Sequence, residues 1–244
     1  MPQMFEDEKR YPDNSVRKNF IFLGYPFNPP LPQDDYRAVT RELQEEFPIR
    51  LWYFLDEITT QELMRKIWRA ILRCDLAIFD ITHGNPNVAF ELGMAVAINK
   101  SCITLLKAGE SNPLGTSDLG YSERAEYNSR ETLKNKLREL IKAKSSVTRL
   151  LLNISYEIQS AAFPYPREEI EKRLTQVVSH VFTNKYTTKA GVKRIFGNDA
   201  MASAVLAALR SNSVFKLEGT RKSARWKLDD SWVHHDHEVV GINP

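Results

Sequence analysis

The run from Cys74 to Ala95 limits the possible folds more than any other part of the chain. Leu76, Ala77, Ile78, Phe79 and Ile81 make an apolar stretch of strand length, and Asp80 stands at its end. Thr82-His83-Gly84-Asn85 is a polar turn, and a helix opens at Pro86. A strand without polar alternation belongs inside a parallel sheet covered on both faces. Open sheets of that kind bind ligands beyond the carboxyl ends of their strands. The spacing therefore sets two carboxylates, Asp80 and Glu91, at such an edge. Val88, Phe90, Leu92, Met94, Ala95, Val96 and Ala97 surround Glu91 with apolar or small side chains. A carboxylate in a largely buried helix must be paired, hydrogen-bonded or functional.

The flanking sequence repeats the strand–helix alternation. Asn19 to Gly24 is an apolar run of β-formers, broken by the loop Gly24-Tyr25-Pro26-Phe27-Asn28-Pro29-Pro30. Asp34 to Glu46 has helical spacing, with Tyr36, Val39 and Leu43 on one stripe. Ile49 to Leu55 is a second strand. Thr59-Thr60-Gln61-Glu62 resembles a capping start for a helix to about Arg73. The strand at 75–81, a helix from Pro86 to about Asn99 and a fourth strand at Ser101–Leu106 follow. Residues 108–127 read as a long loop, and Arg130 to Lys144 as an amphipathic basic helix. Alternation of this kind predicts a parallel sheet flanked by helices.

Lys142 to Val147 marks a change of composition, and the predicted organisation follows from it. Residues 1–17 form a polar arm, 18–145 the α/β domain, and 146–183 connecting helices. A short helix at Lys189–Phe196, a longer one capped by Asn198-Asp199, and two short strands within Ser213–Leu228 occupy 184–232. Helix, helix and a hairpin with a basic tip is the winged-helix pattern. Residues 233–244 are a tail.

Composition narrows the function classes. With 244 residues and 42% apolar content the chain can bury an ordinary core, and its net charge is only +3. No apolar run reaches ~18 residues, and Met1 to Arg10 lacks an apolar leader, so a cytoplasmic protein without a membrane span is expected. The two cysteines, Cys74 and Cys102, open strands and read as core thiols. His234-His235-Asp236-His237-Glu238 has no second ligand cluster, so no metal is expected.

Glycosyl transfer at a ribose passes through an oxocarbenium-like state, which a nearby carboxylate can stabilise or capture. Glu91, early in its helix, would lie toward the positive end of the dipole. Asp80 would take a ribose hydroxyl or orient the base, and Asn85 and Asn87 offer amides in the turn. Two motifs, Phe22-Leu23-Gly24-Tyr25-Pro26-Phe27 and Asn85-Pro86-Asn87-Val88-Ala89-Phe90-Glu91-Leu92-Gly93, resemble the nucleoside 2-deoxyribosyltransferase family and its TIR-like relatives over about 18–145. The resemblance implies a flavodoxin-like sheet, Glu91 as nucleophile, and Asp80 as the strand-end aspartate. It implies a substrate pocket of Gly24, Tyr25, Pro26, Phe27, Asn85, Asn87 and Met94, with Asp118 and Tyr121 closing over the ligand. The first loop departs from the Ala-Gly-Pro pattern commoner in the transferases. The Asn-Pro-Asn-Val turn is typical of nucleotide-binding and NAD-cleaving relatives in bacterial defence. The expected substrate is NAD or a related nucleotide, with no separate cofactor, and a homo-oligomer is expected.

From Asn184 to Leu228 ten basic residues face only two acids, Asp199 and Glu218, a local excess of +8. Segregated charge of this kind is the footprint of a phosphate-backbone binder. Lys193, Arg194, Arg210, Arg221, Lys222 and Arg225 are the candidate nucleic-acid contacts. The helix from Asp199 carries mostly Ala, Val and Leu, with Ser203 as its main donor, which favours backbone or shape recognition over base reading. The domain order resembles the effectors of certain bacterial retrons, which sit with a reverse transcriptase and its RNA–DNA hybrid. A non-catalytic nucleotide sensor and a ligand-switched DNA-binding regulator are the competing readings.

Overall fold

The computed structural model describes residues 16–26, 29–53, 61–110, 123–160, 164–220 and 224–232. Two compact units meet in sequence between Ser145 and Ser146.

The first unit is a five-stranded parallel sheet flanked by helices. In chain order it holds β1 (Arg17–Gly24), α1 (Gln33–Glu46), β2 (Arg50–Trp52), α2 (Gln61–Arg73), β3 (Cys74–Asp80), α3 (Pro86–Ala97), β4 (Cys102–Lys107), β5 (Glu123–Tyr127) and α4 (Arg130–Lys144). The strands lie in the order β2-β1-β3-β4-β5, and every pair is parallel. This is the flavodoxin-like arrangement, and its order reverses between β1 and β3.

The period of two along the strands sorts the core into layers. Phe20, Phe22, Ala77, Phe79 and Ile81 join an apolar cluster with Ile67, Trp68 and Ile71 of α2 and Val88, Leu92 and Met94 of α3. The intervening Ile21, Leu23 and Ile78 are equally buried and belong to the other face. On α1 and α4 the apolar stripes Tyr36, Val39, Leu43 and Leu133, Leu137, Leu140, Ile141 are buried. These two helices are tied by Glu42, which pairs with Arg130 and, at 3.2 Å, with Lys134. Ser129 and Thr132 close the start of α4 with a reciprocal capping box.

The sequence reading of 108–127 as loop needs correction, because Glu123–Tyr127 is the fifth strand. Its residues are Glu-Arg-Ala-Glu-Tyr, and a charged strand with so little apolar content carries no buried-strand signal. It forms the sheet's edge, where charge is common because it discourages pairing with other chains. The second strand is shorter than expected, at Arg50–Trp52, with 54–60 outside the described residues.

The second unit places the expected connecting helices and the C-terminal module in one body. Helices α5 (Ser146–Ser160), α6 (Arg167–Asn184), α7 (Lys189–Phe196) and α8 (Asp199–Ser211) precede an antiparallel hairpin of β6 (Phe215–Glu218) and β7 (Arg225–Leu228). Thr187, between α6 and α7, exchanges two 2.8 Å backbone hydrogen bonds with Trp226, adding a third rung beside β7. Thr188 and Asn198 cap α7 and α8, each accepting a backbone N–H. Arg173 of α6 lies 4.2 Å from the centre of the Tyr165 ring and donates to the carbonyl of Ile195. Val178, Val181, Phe196, Val205, Leu209 and Phe215 fill the interior. Among the described residues, no helix is long and apolar enough to cross a membrane.

Candidate active site

β1 and β3 end side by side, with Gly24 opposite Phe79 in register. The polypeptide leaves these neighbours toward opposite faces of the sheet, which opens a crevice at their carboxyl ends. Glu91 of α3 reaches this point. A carbon added to Gly24 would stand 2.8 Å from Oε2 of Glu91 and 2.8 Å from the Phe79 ring. Only glycine leaves room there for the carboxylate to lie against the backbone.

Helix α3 is built to hold that residue. Asn85 caps it, its Oδ1 accepting the backbone N–H of Asn87 at 2.9 Å and of Val88 at 3.3 Å. Pro86 follows at the first helical position, where a missing N–H costs nothing. Val88 and Leu92 anchor the helix in the core on either side of Glu91. The carboxylate itself is mostly buried, and burial alone pushes its pKa up to about 8. Among the described residues no cation pairs with it and no donor bonds to it. A desolvated acid without a partner is a costly arrangement for a residue that only supports a fold.

Asp80 differs in every respect. It is fully buried and accepts four hydrogen bonds. The N–H of Thr82 (3.1 Å) and its hydroxyl (2.6 Å) go to Oδ1, while the hydroxyls of Tyr36 (2.6 Å) and Tyr127 (2.5 Å) go to Oδ2. An ionised carboxylate has about four acceptor positions, and all are in use. The expected ribose contact is therefore not what this geometry offers: Asp80 ties α1, β3 and β5 together. Since Phe79 faces α2 and α3, Asp80 faces α1, so the two carboxylates occupy different sides of the sheet edge. Thr82 continues the network by accepting the N–H of Lys107 at 2.9 Å, and the Lys107 ammonium donates to the carbonyl of Pro30 at 3.1 Å.

Tyr36 and Tyr127 escaped the sequence reading as site-forming residues. One was an apolar-stripe position and the other lay in the presumed loop. A tyrosine on a core stripe, with a strand-end aspartate elsewhere, was the available signal, since a buried hydroxyl needs a partner.

Tyr25 stacks on Tyr36, with centroids 4.7 Å apart and planes at 21°, and also meets Tyr53 at 5.6 Å. Its ring is buried, yet its hydroxyl has no hydrogen-bond partner among the described residues. Pro26 is buried beside it and Asn87 is exposed. Met94 packs in the apolar cluster. Phe27, Asp118 and Tyr121 lie outside the described residues, as do Arg221, Lys222 and the histidine-rich tail.

Both cysteines are buried free thiols, with pKa values raised by burial to about 12 for Cys74 and about 11 for Cys102. Among the described residues no cluster of three or more His, Cys, Asp or Glu side chains converges on one point.

The basic unit is less free than its charge count suggests. Lys193 pairs with Asp199 at 3.0 Å, Lys227 with Glu218 at 2.5 Å, and Lys216 with Asp230 at 2.5 Å. Arg225 lies 4.6 Å over the Tyr186 ring. Arg194 and Arg210 are exposed.

No family model matches the chain, and no curated protein does. Among solved structures, the Clostridium botulinum CMP N-glycosidase BcmB is similar at 19% identity and a TM-score of 0.37. The likeness covers 49% of this chain and 98% of that one. At that level the activity in its name stays its own.

Proposed function

We propose that the chain is an N-glycosidase that cleaves the ribosyl–base bond of NAD or a related nucleotide. The observation that carries this is the desolvated Glu91 carboxylate, unpaired among the described residues, lying against Gly24 at the switch point of the sheet. The chemistry needs one well-placed carboxylate. As the C1′–N bond breaks, its electron pair leaves with the base and positive charge develops on the ribose. Ionised Glu91 stabilises that charge or bonds to C1′, and water then takes the base's place. Dry surroundings strengthen the attraction.

Tyr25 supports a ligand in the same crevice. A bound hydroxyl or amide would satisfy its phenol, which has no partner among the described residues. Asp80, Tyr36 and Tyr127 act as positioning residues, since Tyr36 both bonds to Asp80 and stacks on Tyr25.

The second unit, read as a winged helix, would bind nucleic acid and thereby restrain or direct the activity, as in a retron-like antiphage effector. Its helix–helix–hairpin order and its local basic excess support this. Incubating the protein with NAD, with nucleoside monophosphates and with deoxynucleosides, with and without nucleic acid, tests the reading through free base resolved by chromatography. Wild type should release base, and Glu91→Gln should not. Equal background release by both in every condition ends the enzyme reading, and ligand binding without turnover would mark a nucleotide sensor.

A further inference from the structure

We propose that a groove in the C-terminal unit holds an unpaired nucleotide of a single-stranded nucleic acid, its base stacked on Trp226 and its phosphates at Arg210 and Lys189. The proposal rests on the nucleic-acid reading of that unit and specifies its ligand. The groove has a volume of about 520 Å³, within the range of sites that enclose small molecules. Lys189 opens α7 at one side, α8 contributes Ser203, Leu206, Ala207 and Arg210, and Trp226 of β7 forms the remaining wall.

The chemistry of these walls selects the occupant. Leu206, only 2% exposed, and Ala207 make an apolar base to the groove. The indole supplies a flat aromatic surface, and the two cations supply positive charge. Lys189 also stands 3.7 Å from Asp199, whereas Arg210 has no ion pair among the described residues. A planar ring joined to an anion fits such a surface, and a nucleotide has both parts.

The same walls disfavour a duplex. Base reading in the major groove draws on several Arg, Asn or Gln side chains, yet of these α8 brings one, Arg210, already assigned to a phosphate, beside Ser203, Leu206, Ala207 and Ser211. A paired base has both of its faces covered by its neighbours, so it cannot stack on an indole. An unpaired base can, whatever its identity.

The tryptophans make the test direct. Of the four in the chain, Trp52, Trp68 and Trp232 are at most 4% exposed, which leaves Trp226 as the accessible one. An oligothymidylate of about 12 nucleotides, a usual site size for such surfaces, is titrated into the full-length protein beside a duplex of equal length. Intrinsic fluorescence and the anisotropy of a labelled strand are both recorded. The single strand should bind more tightly than the duplex and quench the emission. Trp226→Ala should weaken binding roughly 5- to 100-fold, the usual effect of losing one stacking platform. Trp226→Phe should bind the strand without quenching, which separates lost stacking from a lost fold. Arg210→Gln should weaken binding and lower the slope of log affinity against log salt by about 0.7. Duplex binding as tight as single-strand binding, or wild-type affinity in both Trp226→Ala and Arg210→Gln, overturns the proposal. Absence of binding to every oligonucleotide overturns it together with the nucleic-acid reading, and leaves base release at Glu91 to be judged by its own assay.

Discussion

Gly24 and Glu91 pack so closely that a Cβ at position 24 would stand 2.8 Å from Oε2 of Glu91. The Phe79 and Phe22 rings hem in the same position, at 2.8 and 3.2 Å, so Gly24→Ala has to move the carboxylate, a ring or the strand end. The expected result is loss of base release with the fold retained, because the clash falls on one movable side chain as well as on the core. Near-UV circular dichroism and the release assay check the two halves separately.

Gly93 is the opposite case. It lies inside α3, is exposed, and a Cβ there would meet nothing within 4 Å. Gly93→Ala should raise stability by about 0.5–1 kcal/mol through helix propensity alone, measured by denaturant unfolding. A fall in ligand affinity in the same variant would place the ligand over this turn of the helix.

The acidity of Glu91 predicts how both activity and stability depend on pH. Its pKa is raised in the fold to about 8, so the folded protein holds a proton that the unfolded chain releases near the ordinary value of about 4.3. Stability contributed by this group is therefore full below pH ~4 and declines as pH rises to about 8. Glu91→Gln should flatten that decline in thermal melts. If the ionised form does the chemistry, base release should climb through pH 8, and a profile already flat from pH 6 would contradict this assignment.

The four-bond cluster at Asp80 should behave as one unit. Tyr127→Phe removes one donor and should cost about 1–2 kcal/mol, whereas Asp80→Asn sets an amide against hydroxyl donors and should cost on the order of 3 kcal/mol. The double variant should fall short of the sum, since both changes break one network. Strict additivity in urea titrations would show that the hydroxyls do not depend on the carboxylate.

Much of the α/β unit was legible because its strands are buried on both faces and its helices carry clean apolar stripes. Glu91 was legible for the same reason, as an acid among core residues. What escaped depended on contacts between distant parts of the chain. β5 hides because an edge strand needs little apolar surface, and Tyr127 hides with it. Asp80 was visible as a strand-end acid, but its satisfied state was not, since its donors come from residues 36 and 127. Charge counting likewise placed a basic surface at 184–228 without showing that Asp199, Glu218 and Asp230 neutralise Lys193, Lys227 and Lys216.

The span of the Asp80 cluster bears on when the site can exist during synthesis. Its tyrosine donors lie 44 residues before the carboxylate and 47 residues after it. Closing loops of that length carries an entropy cost that local helix formation does not. A growing chain that has delivered Glu91 but not Tyr127 still lacks the last strand of the sheet and one of the donors that hold the carboxyl edge. On the proposed function, base release then waits until that final strand has docked.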